Sequence, residues 1–192
     1  MADDYPGRNC FINSRKSVRK GDDVMYRLLV LDVDGTLTDG KIYLSQYGEE
    51  MKAFNIKDGY GIRHILPQLH IEAAVITGRQ SEIVTRRAKE LGIQTVFQGI
   101  SEKKVCLRQI LEEKGCTAKE TIYIGDDEND LECMQIVGFC ACPADAHQSI
   151  RNVADYIASK NGGDGAVREI IDRLFLTVFK RQSMEGTDVC SS

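Results

Sequence analysis

The sequence predicts an α/β fold, in which a Rossmann-like parallel sheet carries helices on both faces. Two observations carry this prediction: short apolar runs rich in Leu, Ile and Val recur along the chain, and helical stretches separate them. Continuous apolar runs of this length are typical of strands that are buried on both faces of a sheet. Alternation of such strands with helices favours parallel pairing, because each helix supplies the crossover between neighbouring strands.

The first apolar run, residues 27–33, ends at an Asp-Gly turn and is predicted to be a buried strand. Further strands are expected at residues 71–77, at 95–97 with the neighbouring residues, at 121–125 and at 139–142. Helices are expected between them at 59–69, 81–91, 101–114 and 128–137. Ser81 and Ser101 are the expected N-caps, and Gly92 and Gly115 stand where helices commonly end.

Residues 41–55 interrupt this alternation. Two extended stretches flank Tyr47-Gly48-Glu49, and this pattern predicts a small β-hairpin inserted directly after the first strand. In open α/β sheets, an insertion at that edge lies beside the crevice in which ligands bind.

The domain is expected to cover residues 25–176 of the 192, which is long enough for a substantial apolar core. Residues 1–24 contain charges throughout and lack the apolar stretch of a secretory signal, so we expect a disordered extension. The polar residues 177–192 are expected to form a flexible tail.

The composition argues against several classes of partner. A net charge of −4 is unlike that of a general nucleic-acid or membrane-surface binder, and no apolar run is long enough to cross a bilayer. The seven cysteines are odd in number and form no metal-like pair, which indicates reduced thiols in a cytoplasmic protein. Cys140 and Cys142 are expected to be small buried side chains on a strand rather than a metal or redox pair.

Two acidic clusters follow predicted strands. Asp32 and Asp34 come directly after the first strand, and Asp126, Asp127 and Asp130 follow the strand at 121–125. Each cluster has a simpler explanation, as a turn or as an acidic helix start. If both face one crevice, however, charges about 4 Å apart repel by about 4 kcal/mol at a dielectric constant near 20. A hard divalent cation relieves that repulsion, and Mg²⁺ is the common choice beside phosphate.

Two further segments suit a phosphate group. Thr77-Gly78-Arg79 ends a predicted strand with a hydroxyl, a glycine N–H and a guanidinium. Lys103 opens the helix expected at 101–114, where it can neutralise phosphate charge, although a lone lysine is more often solvated.

These four segments, in this order from Leu28 to Asp130, resemble the haloacid dehalogenase superfamily of phosphatases. The resemblance implies that Asp32 is the nucleophile and that Asp34 is the acid and base. It implies that Thr77 and Lys103 hold the phosphoryl oxygens. It also implies a Mg²⁺ cofactor bound by Asp32, the backbone carbonyl of Asp34 and Asp126, with Asp127 and Asp130 in support.

Three segments narrow the resemblance: the hairpin after Asp39-Gly40, residues 54–62 and residues 162–169 are similar to those of the 3-deoxy-D-manno-octulosonate 8-phosphate phosphatase family. That resemblance implies a keto-sugar acid phosphate as substrate, an aspartyl-phosphate intermediate, no large cap domain and a homotetramer with shared active sites. The candidates for holding the substrate are Lys57, Asp58, Gly78, Arg79 and Arg168.

Two alternatives remain open. Related enzymes act on nine-carbon sialic-type sugar 9-phosphates, and nothing in the sequence separates eight carbons from nine. The similar domain of animal CMP-sialic acid synthetases allows a catalytically idle oligomerisation domain, although the intact set of acidic residues, threonine and lysine argues against that reading.

The last feature is a glycine cluster, residues 162–165, before an apolar helix expected at 166–176. The glycines predict a flexible strap that helps to close a site, and the alternative is a loop leading into the last helix. Asp164 is the expected N-cap of that helix.

Overall fold

The computed structural model describes residues 25–174, apart from the side chain of Glu50. The predicted extension 1–24, the predicted tail 177–192 and the last two residues of the predicted helix 166–176 lie outside that range. In chain order, the strands are Leu28–Leu31 (β1), Tyr43–Ser45 (β2), Gly48–Met51 (β3), Glu72–Ile76 (β4), Thr95–Phe97 (β5), Thr121–Ile124 (β6), Phe139–Cys142 (β7) and Tyr156–Ile157 (β8).

Six of these strands form one sheet, in the order β5-β4-β1-β6-β7-β8, and every pairing in it is parallel. The predicted parallel sheet is therefore confirmed. The strands β2 and β3 form a separate antiparallel pair, which confirms the predicted hairpin.

The helices are Ile56–Tyr60 (α1), Glu82–Leu91 (α2), Lys103–Lys114 (α3), Leu131–Met134 (α4), Gln148–Val153 (α5) and residues 166–174 (α6). Short 3₁₀ turns stand at Leu66–Leu69, Ala118–Glu120 and Glu128–Asp130, and a π-helical turn stands at Gly61–Ile65. No helix within residues 25–174 has the length and apolar character needed to span a bilayer.

The core is divided by the sheet into two layers. Along β1, Leu29 and Leu31 face a layer that includes residues of α2 and α6, whereas Leu28 and Val30 face a layer that includes residues of α3, α4 and α5. This alternation follows from the two-residue period of a strand, and it explains why the whole run is apolar. The predicted helices on both faces are thus present.

Several predicted boundaries are wrong. The helix expected at 59–69 begins at Ile56, because the Asn55 side chain accepts the Lys57 N–H at 2.8 Å and caps it there. It then passes through the π and 3₁₀ turns instead of continuing as α-helix. The helix expected at 128–137 is only a 3₁₀ turn followed by the short α4.

Of the two predicted N-caps, Ser101 is wrong and Ser81 is confirmed in position only. Ser101 is not a cap, since α3 begins at Lys103 after Glu102. Ser81 does precede α2, but its hydroxyl makes no capping bond and donates to Glu49 instead. Gly92 and Gly115 do end their helices, both with left-handed backbone. The elements α5 and β8 were not expected from the sequence.

Residues 162–165 are packed rather than free, so the expectation of a flexible strap is wrong for them. The Gly163 N–H donates to the Thr36 carbonyl at 3.2 Å, and the Asn55 amide donates to the Gly163 carbonyl at 3.3 Å. A Cβ on Gly162 would lie 1.8 Å from the Gly35 carbonyl oxygen. The segment therefore lies directly against the loop that follows β1.

Cys140 and Cys142 are buried on β7, as expected, and the five cysteines within residues 25–174 are free thiols. Burial raises the pKa of both thiols to about 12, so they remain protonated and behave as small apolar groups.

Candidate active site

A cavity of about 270 Å³ opens at the carboxyl ends of the central strands β4, β1 and β6. Parallel strands bring their carboxyl ends to one edge, so segments that are distant in sequence meet there. The cavity is lined by Asp32, Asp34, Gly40, Thr77, Gly78, Arg79, Asp126, Asp127 and Asn129. Seven of these nine residues were predicted as site residues, and only Gly40 and Asn129 were not.

Asp32 is held at the bottom of the cavity by its backbone and by Lys103. Its N–H donates to the Ile124 carbonyl at 3.0 Å, which continues the pairing of β1 with β6. Its Oδ1 accepts a hydrogen bond from Lys103 Nζ at 2.7 Å, and both side chains are buried. Lys103 lies in the first turn of α3, so that helix aims its cation at the end of β1.

Asp130 is the second partner of Lys103, at 2.7 Å, and is itself completely buried. The hydroxyl of Tyr123 donates to the same oxygen at 2.7 Å. The other oxygen accepts the backbone N–H groups of Asp126 and Asp127 at 3.1 and 3.4 Å. The sequence did not single out Tyr123, because an aromatic residue in a strand is usually only part of the core.

Three carboxylates converge beside the lysine. Single oxygens of Asp32, Asp126 and Asp130 all lie within 4.8 Å of one another. The Thr36 hydroxyl donates to Asp126 Oδ1 at 3.2 Å. Gly35 has a φ of 90°, and a Cβ there would lie 2.0 Å from Asp126 Oδ2, so the close approach of the two loops requires glycine.

The electrostatics of this group favour a cation. Burial raises the pKa of Asp126 to about 8, helped by the charges of Asp32 and Asp130. Burial and the Asp130 charge also raise the pKa of Asp32 to about 6, although Lys103 opposes them. Burial disfavours the charge of Lys103, but Asp32 and Asp130 outweigh it and raise its pKa. One lysine thus faces three carboxylates, and oxygen ligands of this kind fit Mg²⁺.

Asp34, at the rim of the cavity, points toward the hairpin rather than toward this group. Its Oδ1 is in contact with Nζ of Lys52, whose side chain has no exposed surface. Lys52 also pairs with Glu49 Oε1 at 3.1 Å. Burial opposes the charge of Glu49, but hydrogen bonds from Ser81 and Lys52 outweigh it and lower its pKa. Sequence reasoning missed Lys52 and Glu49, because no local pattern distinguishes them from the other charges of the hairpin.

Thr77 is buried at the end of β4, where its N–H donates to the Phe97 carbonyl at 2.9 Å. Gly78 and Arg79 follow it into the cavity lining. Arg79 Nη2 lies 3.7 Å from Glu49 Oε1, so the guanidinium is shared between the cavity rim and the hairpin.

Lys57, Asp58 and Arg168 lie outside this lining. Lys57 is exposed. Asp58 is buried, and its Oδ1 accepts the Arg168 N–H at 2.7 Å near the start of α6. Burial raises the pKa of Asp58, although the N–H groups of Arg168 and Gly165 oppose that shift. The Arg168 side chain donates to Asp172 at 2.7 Å. Their role in substrate binding stays a prediction.

Comparison with known proteins agrees with this geometry. A family profile described as haloacid dehalogenase-like hydrolase matches residues 88–170. The 3-deoxy-D-manno-octulosonate 8-phosphate phosphatase of Salmonella typhi is 44% identical over 163 residues, which cover 85% of this chain and 86% of that protein.

Solved structures show the same fold. The crystal structure of the phosphatase of that name from Yersinia pestis aligns with a TM-score of 0.76 and 44% identity, over 80% of this chain and 82% of that one. The phosphatase of that name from Moraxella catarrhalis, in complex with a magnesium ion, a phosphate ion and KDO, aligns with a TM-score of 0.75 and 39% identity. The alignment covers 81% of this chain and 94% of that one. The chain therefore belongs to the haloacid dehalogenase-like hydrolases and, within them, to the family of 3-deoxy-D-manno-octulosonate 8-phosphate phosphatases.

Proposed function

We propose that this protein is a magnesium-dependent phosphatase that converts 3-deoxy-D-manno-octulosonate 8-phosphate into the free sugar acid and phosphate. The observation that carries the proposal is the buried Asp32–Lys103 pair, which lies beside Asp126 and Asp130 at the bottom of the cavity. The identity to phosphatases named for this substrate supports the choice of the eight-carbon sugar over a nine-carbon one.

In the proposed mechanism, a carboxylate oxygen of Asp32 attacks phosphorus and carries the phosphoryl group as an aspartyl phosphate. Asp34 gives a proton to the departing sugar oxygen and then takes one from the water that hydrolyses the intermediate. Lys103 orients Asp32 through Oδ1 and offsets negative charge, while the Thr77 hydroxyl and the Gly78 N–H bind phosphoryl oxygens.

Asp32 and Asp126, with the Asp34 carbonyl, would hold Mg²⁺, and Asp130 and Asp127 would support them. A bound Mg²⁺ supplies positive charge that offsets the repulsion between the anionic nucleophile and the phosphate dianion. The raised pKa values of Asp32 and Asp126 support this assignment, because they reflect carboxylates that lack a sufficient counter-charge among the described residues.

The sugar carboxylate needs a cation beyond the phosphate site. Arg79 is the candidate within the cavity lining, since its guanidinium is partly exposed there. We propose that Lys57 and Arg168 serve the same end at a site shared between subunits of a homotetramer. A cytoplasmic location, which we also propose, fits the free thiols.

The test is phosphate release by the purified full-length protein. We expect turnover of the eight-carbon sugar phosphate with Mg²⁺, a lower catalytic efficiency on nine-carbon sugar 9-phosphates, and none after metal removal. Asp32→Asn should fold but lose about a thousandfold or more in kcat, because it lacks the nucleophile. Acid-quenched wild-type protein should carry the phosphoryl group on Asp32 in peptide mass spectrometry. Full activity in excess chelator, or in Asp32→Asn, would contradict the proposal.

A further inference from the structure

Lys52 is a buried cation that directly follows β3, and its ammonium group contacts the Asp34 carboxylate. Its side chain has no exposed surface, and its Nζ contacts Asp34 Oδ1 and lies 3.1 Å from Glu49 Oε1. Lysine is almost never fully buried unless it is paired with an opposite charge. Lys52 meets this condition because its ammonium group lies between the carboxylates of Asp34 and Glu49 at the cavity rim. By contrast, Lys41 of the same insertion is mostly exposed and pairs with Asp39 at 3.0 Å.

Glu49, the second partner of Lys52, is held in place by residues at the start of α2. Its Oε2 accepts a hydrogen bond from the hydroxyl of the buried Ser81, and Arg79 Nη2 lies 3.7 Å from its Oε1. The Ser81 N–H in turn donates to the Gln98 side chain at 2.8 Å. Lys52 is therefore anchored through Glu49 to the start of α2, and its position does not depend on the exposed hairpin strands alone.

We propose that Lys52 is the positioning residue for proton transfer by Asp34. With Oδ1 engaged by Lys52, Oδ2 is the oxygen that remains to carry the proton, so the ammonium group selects the reactive oxygen and orients it. The same charge offsets the carboxylate that appears when the proton leaves. This inference rests on the proposed function, in which Asp34 is the acid and base.

The two chemical steps show where the charge appears. First, a bond forms between an Asp32 oxygen and phosphorus, and the bond from phosphorus to the sugar oxygen breaks with its electron pair on that oxygen. The proton of Asp34 Oδ2 moves to the sugar oxygen and leaves a carboxylate beside Lys52. Second, water attacks phosphorus, one of its protons passes to Asp34, and the bond from phosphorus to Asp32 breaks. Lys52 is neither consumed nor protonated in either step.

The dependence on a positioned acid differs between leaving groups. A sugar alkoxide is a poor leaving group and needs the proton, whereas p-nitrophenolate leaves without one. Removal of Lys52 should therefore slow the first step with the sugar phosphate far more than with p-nitrophenyl phosphate. A merely structural role for Lys52 would slow both reactions to the same degree.

The experiment compares Lys52→Met, Lys52→Arg and the wild type in the full-length protein with Mg²⁺. Single-turnover release of the leaving group, with enzyme in excess, isolates the first step from hydrolysis of the intermediate. We expect Lys52→Met to lose about 100-fold with the sugar phosphate and less than about tenfold with the aryl phosphate. Lys52→Arg should recover most of the difference, because it keeps a positive charge. Lys41→Met is the matched control and should leave both rates unchanged.

Each result bears on one hypothesis. Equal losses on the two substrates, or no loss on either, in an otherwise active protein would overturn the role of Lys52 alone. A wild type that releases neither leaving group would overturn the proposed function instead. If Lys52→Met does not remain folded by circular dichroism, Lys52→Gln replaces it, since glutamine keeps a donor without the charge, and the same difference between substrates is expected.

Discussion

Tyr123 donates a hydrogen bond to Asp130, one of the three carboxylates at the bottom of the cavity. It is one of the largest fully buried side chains, and its hydroxyl donates to the Asp130 oxygen that also binds Lys103. Burial, reinforced by the Asp130 charge, raises the pKa of Tyr123 well above its usual range, so the hydroxyl stays protonated and remains a donor. Two donors thus hold one Asp130 oxygen, and the backbone N–H groups of Asp126 and Asp127 hold the other.

Tyr123→Phe should reduce the free energy of unfolding by about 1–2 kcal/mol, because it removes one hydrogen bond to a buried charged group. Urea denaturation measured by circular dichroism gives this value. The control is Tyr60→Phe, which alters a hydroxyl on a residue that is 54% exposed and lies outside the hairpin. Equal stability of the two variants would show that the Tyr123 hydroxyl contributes nothing.

The raised pKa values of Asp32 and Asp126 link metal binding to pH. Both values in the folded protein, about 6 and about 8, exceed the usual 3.8, so the folded state binds protons that the unfolded state releases. The contribution of these groups to stability in the metal-free protein is therefore full below about pH 4 and is lost as pH rises through 8. Mg²⁺ needs the deprotonated carboxylates, so protons compete with it over the same range.

We therefore expect Mg²⁺ to raise Tm more at pH 8 than at pH 6, since each pH unit below the pKa of Asp126 weakens binding about tenfold. Differential scanning calorimetry with and without millimolar Mg²⁺ measures both shifts. Asp126→Asn should lose most of the Mg²⁺ effect at both pH values. It should also be more stable than the metal-free wild type at pH 8, because a repelling buried charge is gone. A Mg²⁺ shift that does not change with pH would contradict the linkage.

At the scale of elements, the apolar runs predicted the buried strands because burial on both faces leaves a local trace in the sequence. Strand β7 has the predicted bounds, β5 covers residues 95–97 without the expected neighbours, and β1, β4 and β6 are shorter by one to three residues. The two-residue strand β8 and the six-residue helix α5 were missed, since such short elements depend on their neighbours rather than on a pattern of their own. In place of the long helix predicted at 59–69, the chain forms the end of α1, a π-helical turn and a 3₁₀ turn. Gly59, Gly61 and Pro67 lower the helix propensity of this segment.

The packed glycines illustrate a second limit. A glycine cluster suggests freedom, yet position 162 requires glycine because the backbone of Gly35 and Thr38, in the loop after β1, lies against it. A Cβ there would meet the Gly35 and Thr38 carbonyl oxygens at 1.8 and 2.9 Å. These are backbone atoms that cannot rotate aside, and they belong to the loop that carries Asp34.

Gly162→Ala should therefore destabilise the fold by about 3 kcal/mol through overpacking and should lower activity as the loop after β1 shifts. Gly99→Ala is the control: its φ is 70° with no atom near the added Cβ, so only left-handed strain of about 1 kcal/mol applies. Thermal denaturation and phosphate release measure the two effects. Similar stability losses for both variants would show that residues 162–165 are not packed on that loop.

At the scale of the whole molecule, the convergence of the site was predictable, whereas its connections were not. Asp32, Thr77 and Asp126 follow neighbouring strands, and topology alone brings such residues to one edge. The links of Lys52 to Asp34 and of Ser81 to Glu49 join the hairpin to two other segments. They depend on how the hairpin folds back over the sheet, and no periodicity in one sequence encodes that path.

The hairpin also exposes an apolar surface, which consists of Ile42, Tyr43, Leu44, Tyr47 and Met51. Leu44 is 68% exposed and Tyr47 is 89% exposed. Large apolar side chains that are exposed together in this way usually mark an interface with another protein. We expect the purified protein to be a tetramer that associates through this surface. Leu44→Asp combined with Tyr47→Asp should yield smaller species in analytical ultracentrifugation, because charges at a buried interface are costly.

Val105→Asp is the control for that experiment, since Val105 is also apolar and exposed but lies on α3, away from the hairpin. It should keep the wild-type mass. If the site is shared between subunits as proposed, the paired substitution should also reduce activity on the sugar phosphate more than on p-nitrophenyl phosphate, because the contact that a neighbouring subunit makes with the sugar is lost. A double variant that retains the wild-type mass would show that this surface does not join the subunits. A wild type that sediments as an active monomer would show in addition that each site is complete within one chain.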